Sequence, residues 1–201
     1  MEDKIGSSAK LPVLDKYRVV LASKSPRRQA LLREIVPKFE IMHRDTEETY
    51  PASLQGAQIV EHLARLKASA FVGELDDDQL LITADTIVWI DGMVLGKPTG
   101  RENAIEMLRC LSGRKHSVFT GVSIMTNAKQ RVFSDSTDVY FRELDDAEIT
   151  YYVDNYKPFD KAGSYGIQEW IGYMGVSRID GSYFNVMGLP VHRLYEELKD
   201  F

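Results

Sequence analysis

Between a short apolar run and a helix signal lies Val19-Val-Leu-Ala-Ser23-Lys-Ser25-Pro26-Arg27-Arg28, a concentration of anion-binding chemistry. A helix N-terminus carries about half a positive charge and unpaired N–H groups, so acids normally gather there. Here Lys24, Arg27 and Arg28 gather instead, a repulsive arrangement unless an anion joins them. The hydroxyls of Ser23 and Ser25, the backbone amides and two guanidinium forks then describe a phosphate site. A solvent-facing arginine pair balanced by distant acids is the competing explanation.

Asp85 follows Leu81-Ile-Thr-Ala84, as if closing a buried strand. A carboxylate at a strand end beside a cleft serves as metal ligand or general base. A turn aspartate bonding local amides fits the pattern equally. Glu47 and Glu48, in Arg44-Asp-Thr-Glu-Glu-Thr-Tyr50-Pro51, offer a second carboxylate, although acidic loop runs are usually just solvated. Gly92-Met-Val-Leu-Gly96-Lys97 is not a P-loop, because three residues separate its glycines and Pro98 stands where Ser or Thr would hold magnesium. Lys97 either reaches a phosphate as a point charge or is an exposed turn lysine. The loop Lys157-Pro-Phe-Asp-Lys161-Ala-Gly163-Ser-Tyr-Gly166-Ile-Gln168 joins lysines, glycines and an amide, a composition that lets backbone approach a ligand closely. His43, His62, His116 and His192 lack metal-ligand spacing, and no G-x-S-x-G nucleophile elbow exists. Cys110 reads as core, and Tyr151, Tyr152 and Tyr156 as packing residues.

These groups need elements to hold them. Residues 17–22 read as a strand, and Ser25-Pro26 as an N-cap with proline at the first helical position, the helix ending at Pro37. Residues 39–42 form a second strand by pattern, and 54–71 a long helix carrying Ile59, Val60, Leu63 and Ala64. Residues 80–84 and 86–90 read as two extended runs, and Asp91-Gly92 turns the second into 93–95. A helix over 102–111 stops at Ser112-Gly113, and 116–125 pairs with 131–141 across a four-residue turn. Helices follow at 145–153 and 191–199, while 157–188 has little periodicity. Strands alternating with helices predict an α/β fold whose sheet is mixed, because hairpins intrude.

The chain has 201 residues, 44% hydrophobic and 27% charged, an ordinary globular composition. A single cysteine excludes an intramolecular disulfide and any multi-thiolate zinc site. Lys plus Arg number 25 against 30 Asp plus Glu, a net −5 that argues against a nucleic-acid polymer bound on a broad basic face. No apolar run is long enough for a transmembrane helix, so no membrane partner is expected. Residues 1–16 lack a continuous apolar segment and read as a flexible extension. With a free thiol and no readable leader, the expected location is cytoplasmic.

Together these stretches resemble the Maf family of nucleotide pyrophosphatases. The matching pieces are Leu21-Ala-Ser-Lys-Ser-Pro-Arg-Arg28, Ala64-Arg-Leu-Lys67-Ala, Ala84-Asp-Thr86, Gly96-Lys-Pro98, Asp160-Lys-Ala-Gly163 through Gln168, and Asn185-Val-Met-Gly-Leu-Pro190. Six motifs in family order span residues 18–200. The resemblance implies one domain over 17–201, with a mixed twisted sheet, flanking helices and two lobes around a deep cleft, often homodimeric. It implies hydrolysis of a nucleoside triphosphate between its α and β phosphates with a divalent metal, Mg²⁺ foremost and Mn²⁺ or Co²⁺ as alternatives. Asp85 matches the proton acceptor, and Glu48, Lys67 and Lys97 match further catalytic positions, with Glu48 and Asp85 as candidate metal ligands. Arg27, Arg28, Thr86, Lys161 and Gln168 match substrate-binding and specificity positions, and Ser23 and Ser25 join them as the hydroxyls of the phosphate site argued above. Arg27, Thr86 and Gln168 resemble the branch that prefers dTTP and UTP, modified pyrimidine triphosphates included, in a nucleotide-cleansing role. The branch acting on methylated GTP carries Glu in place of Gln168. A competing class is a nucleotide-binding regulator of septum formation with little turnover, which would use the same cations without needing an activated water.

Overall fold

A computed structural model describes residues 11–201. Its strands are β1 (Arg18–Ala22), β2 (Glu40–Met42), β3 (Gln79–Ile90), β4 (Met93–Leu95), β5 (Lys115–Met125), β6 (Gln130–Phe141) and β7 (Val176–Asp180). They form one sheet in the order β2-β1-β3-β5-β6-β7, with β4 pairing β3. β1 runs parallel to β2 and β3, whereas the β3-β5-β6-β7 half is antiparallel. The sheet is therefore mixed, as the hairpin signals required. The helices are α1 (Val13–Lys16), α2 (Pro26–Arg33), α3 (Ala57–Ser69), α4 (Arg101–Leu111), α5 (Asp146–Tyr156), α6 (Trp170–Gly175), α7 (Tyr183–Met187) and α8 (Val191–Lys199).

Alternation along β3 divides the core between two faces. Leu80, Ile82, Ala84, Val88 and Ile90 join the main apolar cluster with residues of α2, α4, α5 and α8. Leu81 and Ile87 turn the other way, toward apolar residues of α3. Asp85 belongs to that second set by parity, and Thr86 to the first.

Three expectations change. β3 is one continuous strand, so Asp85 stands in its middle and not at a strand end. The acid does not break the ladder, because its backbone continues pairing with β5 while its carboxylate finds a cation across the face. Second, α3 is shorter than its apolar periodicity, because Leu54 and Phe71 pack against the same layer from flanking turns. Third, β7 emerges from the aperiodic stretch as an edge strand with an exposed-rich pattern that carries no alternation signal.

Of the stretch read as a flexible extension, residues 1–10 lie outside the described residues. Leu11 and Val13 are buried against the main cluster, so the packed chain begins before Tyr17. The three tyrosines pack as expected: Tyr152 is fully buried, Tyr156 stacks on it, and Tyr151 meets Trp170 edge-on, the last two at the surface. No helix of the described residues is long and apolar enough to cross a membrane.

His116 on β5 is buried, with Nε2 2.8 Å from the Tyr165 hydroxyl and Nδ1 unpartnered. Burial pushes its pKa down to about 4 against a weaker opposing pull from Asp138. The folded state thus refuses a proton that the unfolded chain accepts below about 6.5, so stability falls as pH drops through that window. The full effect is about 3 kcal/mol. Between pH 6.5 and 5, unfolding free energy should fall more steeply in the parent than in His116→Gln; equal slopes would contradict the assignment.

Candidate active site

β1 last pairs β3 at Leu21 with Ile82, and β4 first pairs it at Val88. Residues 83–87 of β3 are therefore left without a strand on that edge, although β5 pairs them fully on the other. This gap opens into a cleft of about 720 Å³. Ligands in open α/β sheets characteristically bind at such interruptions. Its lining joins the β1–α2 turn, the loop over residues 43–50, the middle of β3, Gly96-Lys97, residues 160–169 and residues 186–188. The six stretches identified in the sequence thus meet in one place, with Lys67 reaching in from α3.

On the α3 face, Lys67 Nζ sits 2.9 Å from Glu48 Oε1 and also holds Asp85 Oδ1 in a short ion pair. Asp85 is only 7% exposed, and a carboxylate so enclosed needs a partner to stay charged. Burial pushes the Glu48 carboxyl up, but Lys67, with Lys97 and Arg28, outweighs it and holds the group below its ordinary value. Packing explains the reach of Lys67. Asp85 lies opposite Gly121 on β5, and a Cβ at Gly121 would stand 2.2 Å from the Val60 carbonyl oxygen of α3. The helix backbone therefore rests directly on the sheet, and Thr83 Oγ1 donates to the Ala64 carbonyl at 2.7 Å.

At the start of α2, Ser25 caps the helix by accepting from the Arg28 amide at 3.4 Å, while Ser23 Oγ accepts from the Ser25 amide at 3.2 Å. Both hydroxyls spend an acceptor lone pair locally and keep their protons available for an anion. No acid occupies the first turn. The two arginines diverge. Arg28 turns inward, with Nε donating to the Gly188 carbonyl at 2.8 Å and Nη2 to Thr86 Oγ1 at 2.9 Å. Its burial lowers the guanidinium pKa, with Asp85 opposing. Thr86 Oγ1 in turn lies 2.9 Å from Thr120 Oγ1, which donates to the Asn185 carbonyl at 3.1 Å. Arg27 instead meets Asp160 Oδ2 at 3.3 Å. Lys161 is shared between Asp160 at 2.7 Å and Glu169 at 2.9 Å.

Among the described residues Lys97 and Gln168 make no hydrogen bond or ion pair, and both line the cleft. Seven basic side chains line it against five carboxylates, and Arg44 gives its charge to Glu74 outside. The local surplus is positive in a chain of net −5. Among the described residues no group of three or more His, Cys, Asp and Glu side chains is placed to hold a metal ion. Glu48 and Asp85, converging on one ammonium, fit an ion that takes its other ligands from phosphate and water, as Mg²⁺ does. They do not fit a protein-only cage.

Sequence reasoning missed Thr120, Tyr152 as a hydrogen-bonding group, Asp160 and Glu169. Asp160 and Glu169 flank singled-out residues, but their pairing depends on how the loop folds back. Gly121→Ala should cost about 1–3 kcal/mol through overpacking and push α3, with Lys67, away from Asp85. Denaturant unfolding measures this; a variant as stable as the parent would show that α3 does not rest on that glycine.

The family model described as Maf-like protein matches residues 18–201. A dTTP/UTP pyrophosphatase of Bacteroides thetaiotaomicron is 54% identical over 187 residues, 92% of this chain and 97% of that protein. One from Porphyromonas gingivalis is 55% identical over 191 residues, 94% of this chain and 96% of that protein. The solved Staphylococcus aureus Ham1 protein aligns over 62% of this chain and 71% of its own at 18% identity, with a TM-score of 0.48.

Proposed function

The chain belongs to the Maf-like protein family, and from that premise we propose that it hydrolyses dTTP and UTP to the monophosphate and pyrophosphate. The observation that carries this reading is the row Glu48–Lys67–Asp85 on the unpaired edge of β3, inside the same cleft as Arg27, Arg28, Lys97 and Lys161. Two long relatives named for that activity support it. The enclosed, locally basic cleft suits a small polyanion better than a polymer, in keeping with a cytoplasmic role on free nucleotides.

The triphosphate tail lies against the first-turn amides of α2, the serine protons of Ser23 and Ser25, and the side chains of Arg27, Arg28, Lys97 and Lys161. Thr86 acts through Arg28, whose guanidinium it holds. Lys67 occupies Asp85 Oδ1 and leaves Oδ2 to accept a proton from water. The water oxygen attacks the α phosphorus, the bond to the bridging oxygen breaks, and pyrophosphate leaves. Lys67 and the arginines then meet charge that grows during that step. The small positive surplus of the cleft does not balance a triphosphate, which supports a divalent cation on Glu48 and Asp85, with Mg²⁺ the natural candidate. Such an ion would supply charge neutralisation at the phosphate oxygens.

Gln168 selects the base. Its carboxamide both donates and accepts, matching the N–H beside a carbonyl on uracil or thymine. A carboxylate there would only accept and would repel those carbonyls.

With UTP or dTTP the products should be the monophosphate and pyrophosphate, and excess chelator should abolish turnover. A diphosphate with orthophosphate as first products would sink the reading. Asp85→Asn should lower kcat by about 10²-fold or more, since the amide cannot take the proton. Its unfolding midpoint, measured alongside, separates that loss from misfolding. Gln168→Glu should lower kcat/KM for both pyrimidine triphosphates by about tenfold. An unchanged preference order among UTP, dTTP and purine triphosphates would place base selection elsewhere.

A further inference from the structure

Glu169 stands beside the proposed base-selecting residue, yet its own carboxylate makes two interactions away from the base. Oε1 lies 2.9 Å from Lys161 Nζ, and Oε2 accepts from the Tyr152 hydroxyl of α5. That hydroxyl also accepts the Gly166 N–H at 3.0 Å. The Glu169 amide returns to the Gly166 carbonyl at 2.9 Å, closing the turn over residues 166–169. Gly166 leaves room for this: a Cβ there would stand 2.7 Å from Glu169 Cδ. Carboxylate, phenol and turn make one closed circuit around Gln168, whose exposed side chain lines the cleft and makes no hydrogen bond. Tyr152 is fully buried. Burial, then Glu169, raise its pKa, so the phenol remains a donor.

We propose that Glu169 is a positioning residue that clamps the turn over residues 166–169 to α5 through Tyr152 and holds the Lys161 ammonium beside it, setting where the Gln168 amide meets the base and Lys161 the phosphates. The proposal rests on the pyrimidine-triphosphate reading for what the turn selects, but the clamp itself stands on geometry alone. A turn that sampled several shapes would lose part of its binding free energy to ordering, whereas a pre-set turn would not. Lys161 would otherwise be drawn wholly toward Asp160, which already engages Arg27. Glu169 gives it a second carboxylate at 2.9 Å.

Glu169→Gln removes the charge that both contacts use. If its amide oxygen faces Tyr152, its NH₂ faces the Lys161 ammonium; if the amide turns over, the Tyr152 hydroxyl loses its acceptor. Either orientation breaks one arm at constant size. Tyr152→Phe removes the centre of the circuit and leaves the Gly166 N–H without its partner.

Both variants and the parent would be compared by amide hydrogen exchange across residues 163–170 and by steady-state kinetics with UTP and GTP. The expected result is exchange at Gly166 and Glu169, whose N–H groups the circuit holds, about tenfold faster or more in each variant, a loss of local protection. For UTP, KM should rise about tenfold with kcat within about threefold, and the UTP-to-GTP ratio of kcat/KM should shrink. A merely structural role would lower kcat for both nucleotides alike and leave that ratio untouched, which would overturn the positioning role. Unchanged exchange in both variants would overturn the clamp, whatever reaction the parent performs. A parent that yields no UMP and pyrophosphate would fail the functional reading separately, while accelerated exchange would still bear on the clamp. Should Glu169→Gln fold poorly, Tyr152→Phe carries the same comparison.

Discussion

Everything at the cleft depends on keeping one carboxylate charged in a nearly closed place. Asp85 sits on the helix-covered face of a central strand, where an unpaired charge would be costly. Lys67 answers it, and can do so only because α3 lies directly on the sheet at Gly121. The same close approach lets Thr83 tie to the helix backbone, so the spacing between helix and strand is held at two neighbouring points. Glu48 then arrives from a loop and completes a row in which one ammonium holds two carboxylates. A shift of α3 would therefore be felt at the Glu48–Lys67–Asp85 row in the cleft as well as in the core.

The second constraint is the interruption of sheet pairing. Were β1 a few residues longer, residues 83–87 of β3 would be covered and the cleft filled. Because β1 stops at Ala22 and turns into α2, the helix N-terminus and the open strand edge face the same space. Positive charge from the helix end, Arg28 and Lys97 then stands opposite the acidic row. Arg28 links these halves physically, reaching the Thr86 hydroxyl on β3 and the Gly188 carbonyl after α7. Arg27 and Lys161, by contrast, are already balanced by Asp160 and Glu169. On the proposed reading a phosphate tail would share those cations with resident carboxylates, whereas Arg28 and Lys97 offer charge that no carboxylate contacts.

Local chemistry was legible in the residues themselves. Ser25-Pro26 starts α2, and Asp91-Gly92 turns β3 into β4. Each depends on backbone groups within a few residues. The mixed sheet followed from hairpin spacing for the same reason. Asp85 was legible as a carboxylate of interest but misplaced at a strand end, since an acid after an apolar run looks like a boundary when its cation is not adjacent in the chain. β7 left no trace because an edge strand with solvent on its flanks needs no alternation.

The sequence by itself determined the kinds of groups available: a basic helix start, a carboxylate after an apolar run, loop lysines and an amide near glycines. It also determined the helices α2–α5 and α8, the turns and most strands, because those follow from short-range hydrogen bonding and apolar period. Only the tertiary structure decided which charges meet. Lys67 lies between Glu48 and Asp85, the arginines part company, and Glu169 reaches Tyr152 while Gln168 stays unengaged. These outcomes turn on where α3 rests, where β1 ends and how residues 160–169 fold back. Those positions are set by packing between residues far apart in the chain, which no local pattern records.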